Sequence, residues 1–60
     1  MKPYHERLKE ARKEAGLKVA AAARLVGYTA SSLHNFESGR RVPPARNAEL
    51  IIEAIKAHKP

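Results

Sequence analysis

The stretch from Ala20 to Arg41 constrains this chain more than any other part of it, because it holds the start and stop signals of two short helices within a few residues of one another. Glycine tolerates the left-handed backbone that ends a helix, so Gly27 closes a first helix. Two residues on, Thr29 offers a hydroxyl to cap the free backbone donors of a second helix, and Gly39 ends that one. Arg40 and Arg41 follow at once. A hinge this short sets two helices at a steep angle and lets the second protrude, the geometry in which a helix can lie in the major groove of DNA.

Sixty residues make one small domain. A chain of that length buries only about 60% of the surface its unfolded form exposes, so its stability is modest. The absence of cysteine excludes a disulfide framework and a thiolate metal site, which fits a reducing cytosol, and a cytoplasmic location is expected. The longest apolar run, Val19 to Ala23, is far short of a membrane span, and the charged N-terminal segment does not have the pattern of a secretion signal. Twelve Lys and Arg stand against six acids, all glutamate, for a formal charge of +6, which favours a polyanion as partner. Before Gly16 the charges alternate, with Glu6/Lys9 and Glu10/Lys13 spaced to support a solvated helix face. From Gly16 to Val42 the only acid is Glu37, set against Lys18, Arg24, Arg40 and Arg41, so the positive field falls mostly on the two-helix segment.

Residues 1–3 read as an N-terminal tail, 4–57 as the folded domain and 58–60 as a C-terminal tail. The first helix is predicted from Tyr4 to Ala15, with Leu8, Ala11 and Ala15 facing inward and Gly16 as its stop. Leu17 bridges to a second helix over Lys18 to Val26, where Ala22, Ala23, Leu25 and Val26 are the expected buried residues. The third helix, Ala30 to Ser38, has Leu33 and Phe36 as its inner edge and Ala30, Ser31, His34, Asn35 and Ser38 on its outer one. Val42-Pro43-Pro44 forces an extended connection, and Pro44 suits the first position of a fourth helix running to Ala57 because its missing donor is harmless there. In that helix Ala48, Ile51, Ile52 and Ile55 form the stripe, while Leu50 and Ala54 widen it beyond one face. The surplus points to contact with a second copy of the chain, with Leu50 and Ile52 as the candidate dimer contacts.

The order Arg-Leu-Lys-Glu-Ala-Arg, Ala-Gly-Leu, Ala-Arg-Leu-Val-Gly, a capping Thr, and Phe-Glu-Ser-Gly-Arg-Arg followed by proline resembles the Cro and phage-repressor-like helix-turn-helix family, often called XRE-type. The resemblance covers Leu8 to about Ile55 and is nearest to short phage and plasmid regulators and toxin-antitoxin autorepressors. It implies an all-α bundle of about four helices, lacking the fifth helix that many members use in dimer contacts. It implies a core of Leu17, Ala23, Val26, Leu33 and Phe36 closed by Ile51 and Ile55. It also implies a structural ion pair between Arg12 and Glu37, which the residues alone present only as two charges on separate helices.

In that family the first residues of the third helix meet base edges, which here points to Ala30, Ser31 and Asn35. The Asn35 amide can donate to and accept from adenine, Ala30 can touch only a thymine methyl, and Ser31 can bond to either kind of edge. Arg40, Arg41 and Lys18 are the expected phosphate anchors, with Thr29, Ser32 and His34 nearby. Three residues depart from the family pattern: Val19 and Ala30 stand where glutamines are common, and Lys18 replaces a Ser or Thr cap. Direct readout is correspondingly sparse, and a cation at the positive end of a helix dipole is locally unfavourable until a phosphate arrives.

An enzyme is the poorest reading: there is no Asp or Cys, His5, His34 and His58 lie at unrelated positions, and no phosphate loop or metal spacing occurs. No cofactor and no metal are expected. The interleaved glutamates and the Gly and Pro breaks disfavour a membrane-active cationic helix. The expectation is a repressor that binds an inverted-repeat operator in double-stranded DNA as a homodimer. The alternative is an antitoxin-type module that neutralises a partner toxin and binds its own promoter.

Overall fold

Four helices make up the computed structural model, which describes residues 1–58: α1 Tyr4–Glu14, α2 Val19–Val26, α3 Ala30–Ser38 and α4 Ala45–Ala57. No strand occurs among the described residues, so the fold is a small all-α bundle. Residues 59 and 60 of the expected C-terminal tail lie outside the described residues. None of the described helices is long and apolar enough to cross a membrane.

Capping chemistry sets the ends. Pro3 is the N-cap of α1, its carbonyl accepting from the N–H groups of Glu6 and Arg7 at 3.1 and 3.2 Å, so this residue of the expected tail belongs to the helix start. Ala15 is the C-cap of α1, one residue short of the predicted end being helical. Lys18 is likewise outside α2: its backbone is extended at φ −77° and ψ 159°, and no side chain caps that helix. Pro44 corrects the reading in the same way. Its ψ of 142° keeps it out of α4, and its carbonyl receives Asn47 N–H at 2.8 Å and Ala48 N–H at 3.0 Å, so it precedes the first helical residue.

Inside the bundle α2 packs on α3 and α1 on α4, with α1–α3 and α2–α4 contacts closing the barrel of side chains. Leu8, Leu33, Ile52 and Ile55 are fully buried, and Ala11, Ala15, Ala22, Ala23, Phe36 and Ile51 surround them. Each large aliphatic side chain contributes about 1.5–3 kcal/mol on burial, while the alanines let the helix backbones approach closely. Leu17 and Val26 are half-buried against this cluster. Two expectations fail here. Leu25 is 45% exposed, because it sits off the Ala22–Ala23–Val26 face of α2. Ile52 is only 1% exposed, because its face of α4 turns toward α1, and a side chain so covered cannot form a contact with a second copy.

Polar contacts tie the helices where the core ends. The Tyr4 hydroxyl donates to the Ala48 carbonyl at 2.6 Å, and Arg7 donates to both Glu49 carboxylate oxygens at 3.0 and 2.7 Å. Burial, assisted by the Glu49 charge and opposed by Arg7, pushes the Tyr4 phenol up to about 12. The Arg7 hydrogen bonds hold the exposed Glu49 carboxyl below its ordinary value. Among the described residues the ion pairs are Lys2–Glu10, Arg7–Glu49 and Arg12–Glu37, and neither i,i+3 pair expected on α1 closes.

Candidate nucleic-acid interface

Helix α3 owes its position to both of its ends. At the start, Thr29 Oγ1 accepts from the Ser32 N–H at 3.1 Å and donates to Ser32 Oγ at 3.0 Å, satisfying one of the free donors of the first turn. Ahead of the cap, Gly27 takes φ +81° and turns the chain out of α2. Tyr28 then packs its ring edge-on against Phe36, with centroids 5.2 Å apart, and its hydroxyl accepts from Asn47 Nδ2 at 3.3 Å. The hinge between the two helices is therefore held by α3 and α4 together.

The last turn of α3 is tied as firmly. Gly39 adopts φ +82°, and the Asn35 carbonyl accepts from the N–H groups of Arg40 and Arg41 at 3.1 and 3.2 Å and from the Ser38 hydroxyl at 3.1 Å. The backbone of both arginines is thus pinned to the helix while their side chains stay exposed.

Glu37, 4% exposed, is the buried charge of the core. Arg12 Nε and Nη2 donate to its two carboxylate oxygens at 2.7 and 3.1 Å, and Arg12 Nη1 donates to the Leu17 carbonyl at 2.8 Å. One guanidinium therefore fastens the end of α3, the body of α1 and the turn before α2. No buried side-chain polar atom among the described residues lacks a partner. A bidentate, fully bonded pair is the form in which two charges tolerate burial.

What remains on the outer edge of α3 is short and polar. Ala30, Ser31, His34 and Ser38 are exposed, Ser32 and Asn35 are half-buried, and Leu33, Phe36 and Glu37 face inward. Ser32 is occupied in the cap, which leaves the side chains of Ser31, His34 and Asn35 without hydrogen bonds inside the protein, among the described residues. Exposed Lys18 stands at the start of α2, whose first backbone donors have no side-chain cap. Of the cations from Lys18 to Arg46, namely Lys18, Arg24, Arg40, Arg41 and Arg46, none is in an ion pair among the described residues. These five cations accordingly carry uncompensated positive charge, whereas three of the cations on α1 and before it are neutralised locally.

His5 is the residue that sequence reasoning passed over. Its half-buried ring lies against Gly39, so close that a Cβ built on that glycine would stand 3.3 Å from Nδ1. Thirty-odd residues separate the two along the chain, and no local pattern signals the contact. No group of three or more His, Cys, Asp or Glu that could hold a metal occurs among the described residues.

Leu50, 64% exposed, borders an open groove of about 580 Å³ with Leu25, Tyr28, Asn47, Ile51 and Ala54. It lies between the end of α2 and α4, on the side of α4 away from α1.

Comparison with known families agrees with this geometry: the family described as "Helix-turn-helix domain" matches residues 6–60. Searches of curated proteins and of solved structures give no match. The chain belongs to the helix-turn-helix domain family, with the four-helix architecture expected of its XRE/Cro-like type.

Proposed function

We propose that this protein is a sequence-specific regulator that binds double-stranded DNA by laying α3 in the major groove. One observation carries the reading: exposed Arg40 and Arg41, their backbone held on the end of α3 by the Asn35 carbonyl, are in no ion pair among the described residues. In this reading Asn35 reads adenine, Ser31 bonds to a base edge and Ala30 contacts a thymine methyl. Arg40, Arg41 and Lys18 grip phosphates, and Thr29, Ser32 and His34 lie close to the backbone. A phosphate at Lys18 also relieves the cost of a cation beside the uncapped start of α2.

The regulator acts as a repressor and binds as a homodimer, so that two copies of α3 enter successive major grooves about 34 Å apart on an inverted repeat. Leu50 and the groove beside it are the apolar surface available for a second copy, since Ile52 is committed to the core. The same groove favours the second reading, an antitoxin-type module whose partner protein seats there. Co-purification with the product of an adjacent gene, with loss on Leu50→Lys, separates the two.

The test of DNA binding uses the double substitution Arg40→Ala/Arg41→Ala. Loss of two phosphate contacts should flatten the slope of log affinity against log salt by roughly 1.8. Unchanged affinity and slope would refute the docking geometry. Selection of bound duplexes from a random pool reports the rest: a two-fold symmetric consensus supports the homodimer, and an asymmetric or absent consensus refutes it.

A further inference from the structure

The geometry points to an antiparallel, two-fold pairing of α4 with the same helix of a second copy, in which Arg46 meets the partner's Glu53, and Glu53 the partner's Arg46, on either side of Leu50. The inference rests on the homodimer reading above and gives it a surface, an orientation and a register.

The surface is the side of α4 that the bundle leaves bare. At about 100° per residue, Arg46, Leu50, Glu53 and Ala57 fall within an arc about 60° wide, opposite Ile51, Ile52 and Ile55. All four are exposed, Leu50 by 64%, whereas the three isoleucines are in the core. The flanks of the arc are already engaged. Glu49 is bound by Arg7, and Lys56 borders the cleft between α4 and α1. Asn47 and Ala54 line the groove toward α2. Arg46 and Glu53 are in no ion pair among the described residues. Seven positions place them about 10.5 Å apart along the helix with Leu50 between, beyond the three- or four-residue spacing at which charges on one helix meet.

What covers this face follows from the order of its charges. A cation, an apolar side chain and an anion in line are complementary to the same line reversed. A two-fold axis perpendicular to α4 and level with Leu50 brings the leucines of the two chains together. It sets Arg46 against the partner's Glu53, and the same operation sets Glu53 against the partner's Arg46. A parallel pairing would set like charges against each other, and a partner patch of one sign would attract one of the two residues and repel the other. One helix pair is small beside the roughly 1,200–2,000 Å² of a stable interface, so the free dimer is weak and forms fully where DNA holds two copies side by side.

The chain has no cysteine, so Leu50→Cys introduces a single thiol at the two-fold axis, and disulfide formation between full-length copies under mild oxidation captures even a weak pairing. Lys13→Cys, exposed on α1, is the reference for random collision, each rate being divided by that thiol's rate with a small disulfide reagent. Measured with and without a duplex carrying the selected site, Leu50→Cys should crosslink at least about tenfold faster than Lys13→Cys. In the Leu50→Cys background, Arg46→Glu and Glu53→Arg should each slow the reaction by about tenfold, since each leaves two like-charged contacts per dimer. Mixing these two variants restores opposite signs at both contacts and should restore the rate, with the mixed dimer identified by its mass. The mixed chains are the proteins that failed alone, so misfolding cannot imitate the rescue. Crosslinking of Leu50→Cys no faster than Lys13→Cys under either condition overturns the inference, and so does a rate that ignores the charges or is not rescued on mixing. In each of those cases a two-fold symmetric consensus in the selected DNA leaves the homodimer standing, and an asymmetric one removes both. Protection of the Leu50→Cys thiol by the co-purified product of an adjacent gene, without crosslinking in its absence, overturns the inference in favour of a partner protein.

Discussion

Removing Glu37 alone should nearly unfold this domain, whereas removing Glu37 and Arg12 together should not. The side chains of Arg12 and Glu37 are 14% and 4% exposed, and they share two hydrogen bonds of 2.7 and 3.1 Å. Glu37→Ala leaves a guanidinium in that space with the Leu17 carbonyl as its one remaining acceptor. Breaking a buried pair from one side costs about 3–5 kcal/mol. A domain of this size has only roughly 3–9 kcal/mol in total, and the melting temperature should fall by about 12 °C or more. In Arg12→Met/Glu37→Leu both charges are gone and similar volume is kept, so the desolvation cost disappears along with the attraction. The main residual loss is the hydrogen bond to Leu17, about 1 kcal/mol. The double variant should thus lie within about 1–2 kcal/mol of the wild type. Urea unfolding followed by circular dichroism measures all three proteins, with equal m-values confirming a common unfolded state. If Glu37→Ala costs less than about 1 kcal/mol, or if the double variant is as unstable as the single one, the pair is not what holds the end of α3 to α1.

Other measurements probe the remaining contacts. The folded state raises the Tyr4 phenol from 10.0 to about 12, mainly by burial, so the unfolded chain loses this proton first as pH rises; stability should fall between those values, and Tyr4→Phe should remove that part of the decline in a pH series of thermal melts. Gly27 and Gly39 share nearly the same positive φ, but a Cβ at Gly27 meets nothing within 4 Å whereas one at Gly39 meets the His5 ring. Both alanine variants should lose about 1–2 kcal/mol to backbone strain, with Gly39→Ala the worse, and His5→Ala should narrow the gap; equal losses would argue against the contact. Asn35→Ala should cost about 1–3 kcal/mol on the selected DNA site and almost nothing on scrambled duplex, while an equal loss on both would make Asn35 a residue that positions without reading.

Much of the fold was legible in the chain because it is specified by local chemistry. Thr29 and Gly39 mark the ends of α3 through a hydroxyl-to-amide bond and a left-handed turn that involve only neighbouring residues, and Ala30–Ser38 is where those signals place it. The inner edge at Leu33 and Phe36 follows from helical spacing in the same way. Residue type could not decide which of several apolar faces a neighbouring helix covers. Leu25, expected to be buried, is exposed, and Ile52, expected both in the α4 stripe and at a dimer contact, is wholly in the core, because the exposure of a side chain depends on where α1 and α4 lie and not on its own hydrophobicity.

Of the candidate interface, the short polar edge of α3 and the cationic residues after Gly39 were legible from the sequence alone. Tertiary structure decided what depends on distant parts of the chain meeting. Arg12 reaches Glu37 across 25 positions, and His5 comes to rest on Gly39. Caps and turns are contacts between near neighbours, so their energies are written into short windows of sequence. A buried ion pair or a ring against a turn exists only once the core has brought α1 and α3 together, and the physical cause of that meeting is the burial of Leu8, Leu33, Ile52 and Ile55.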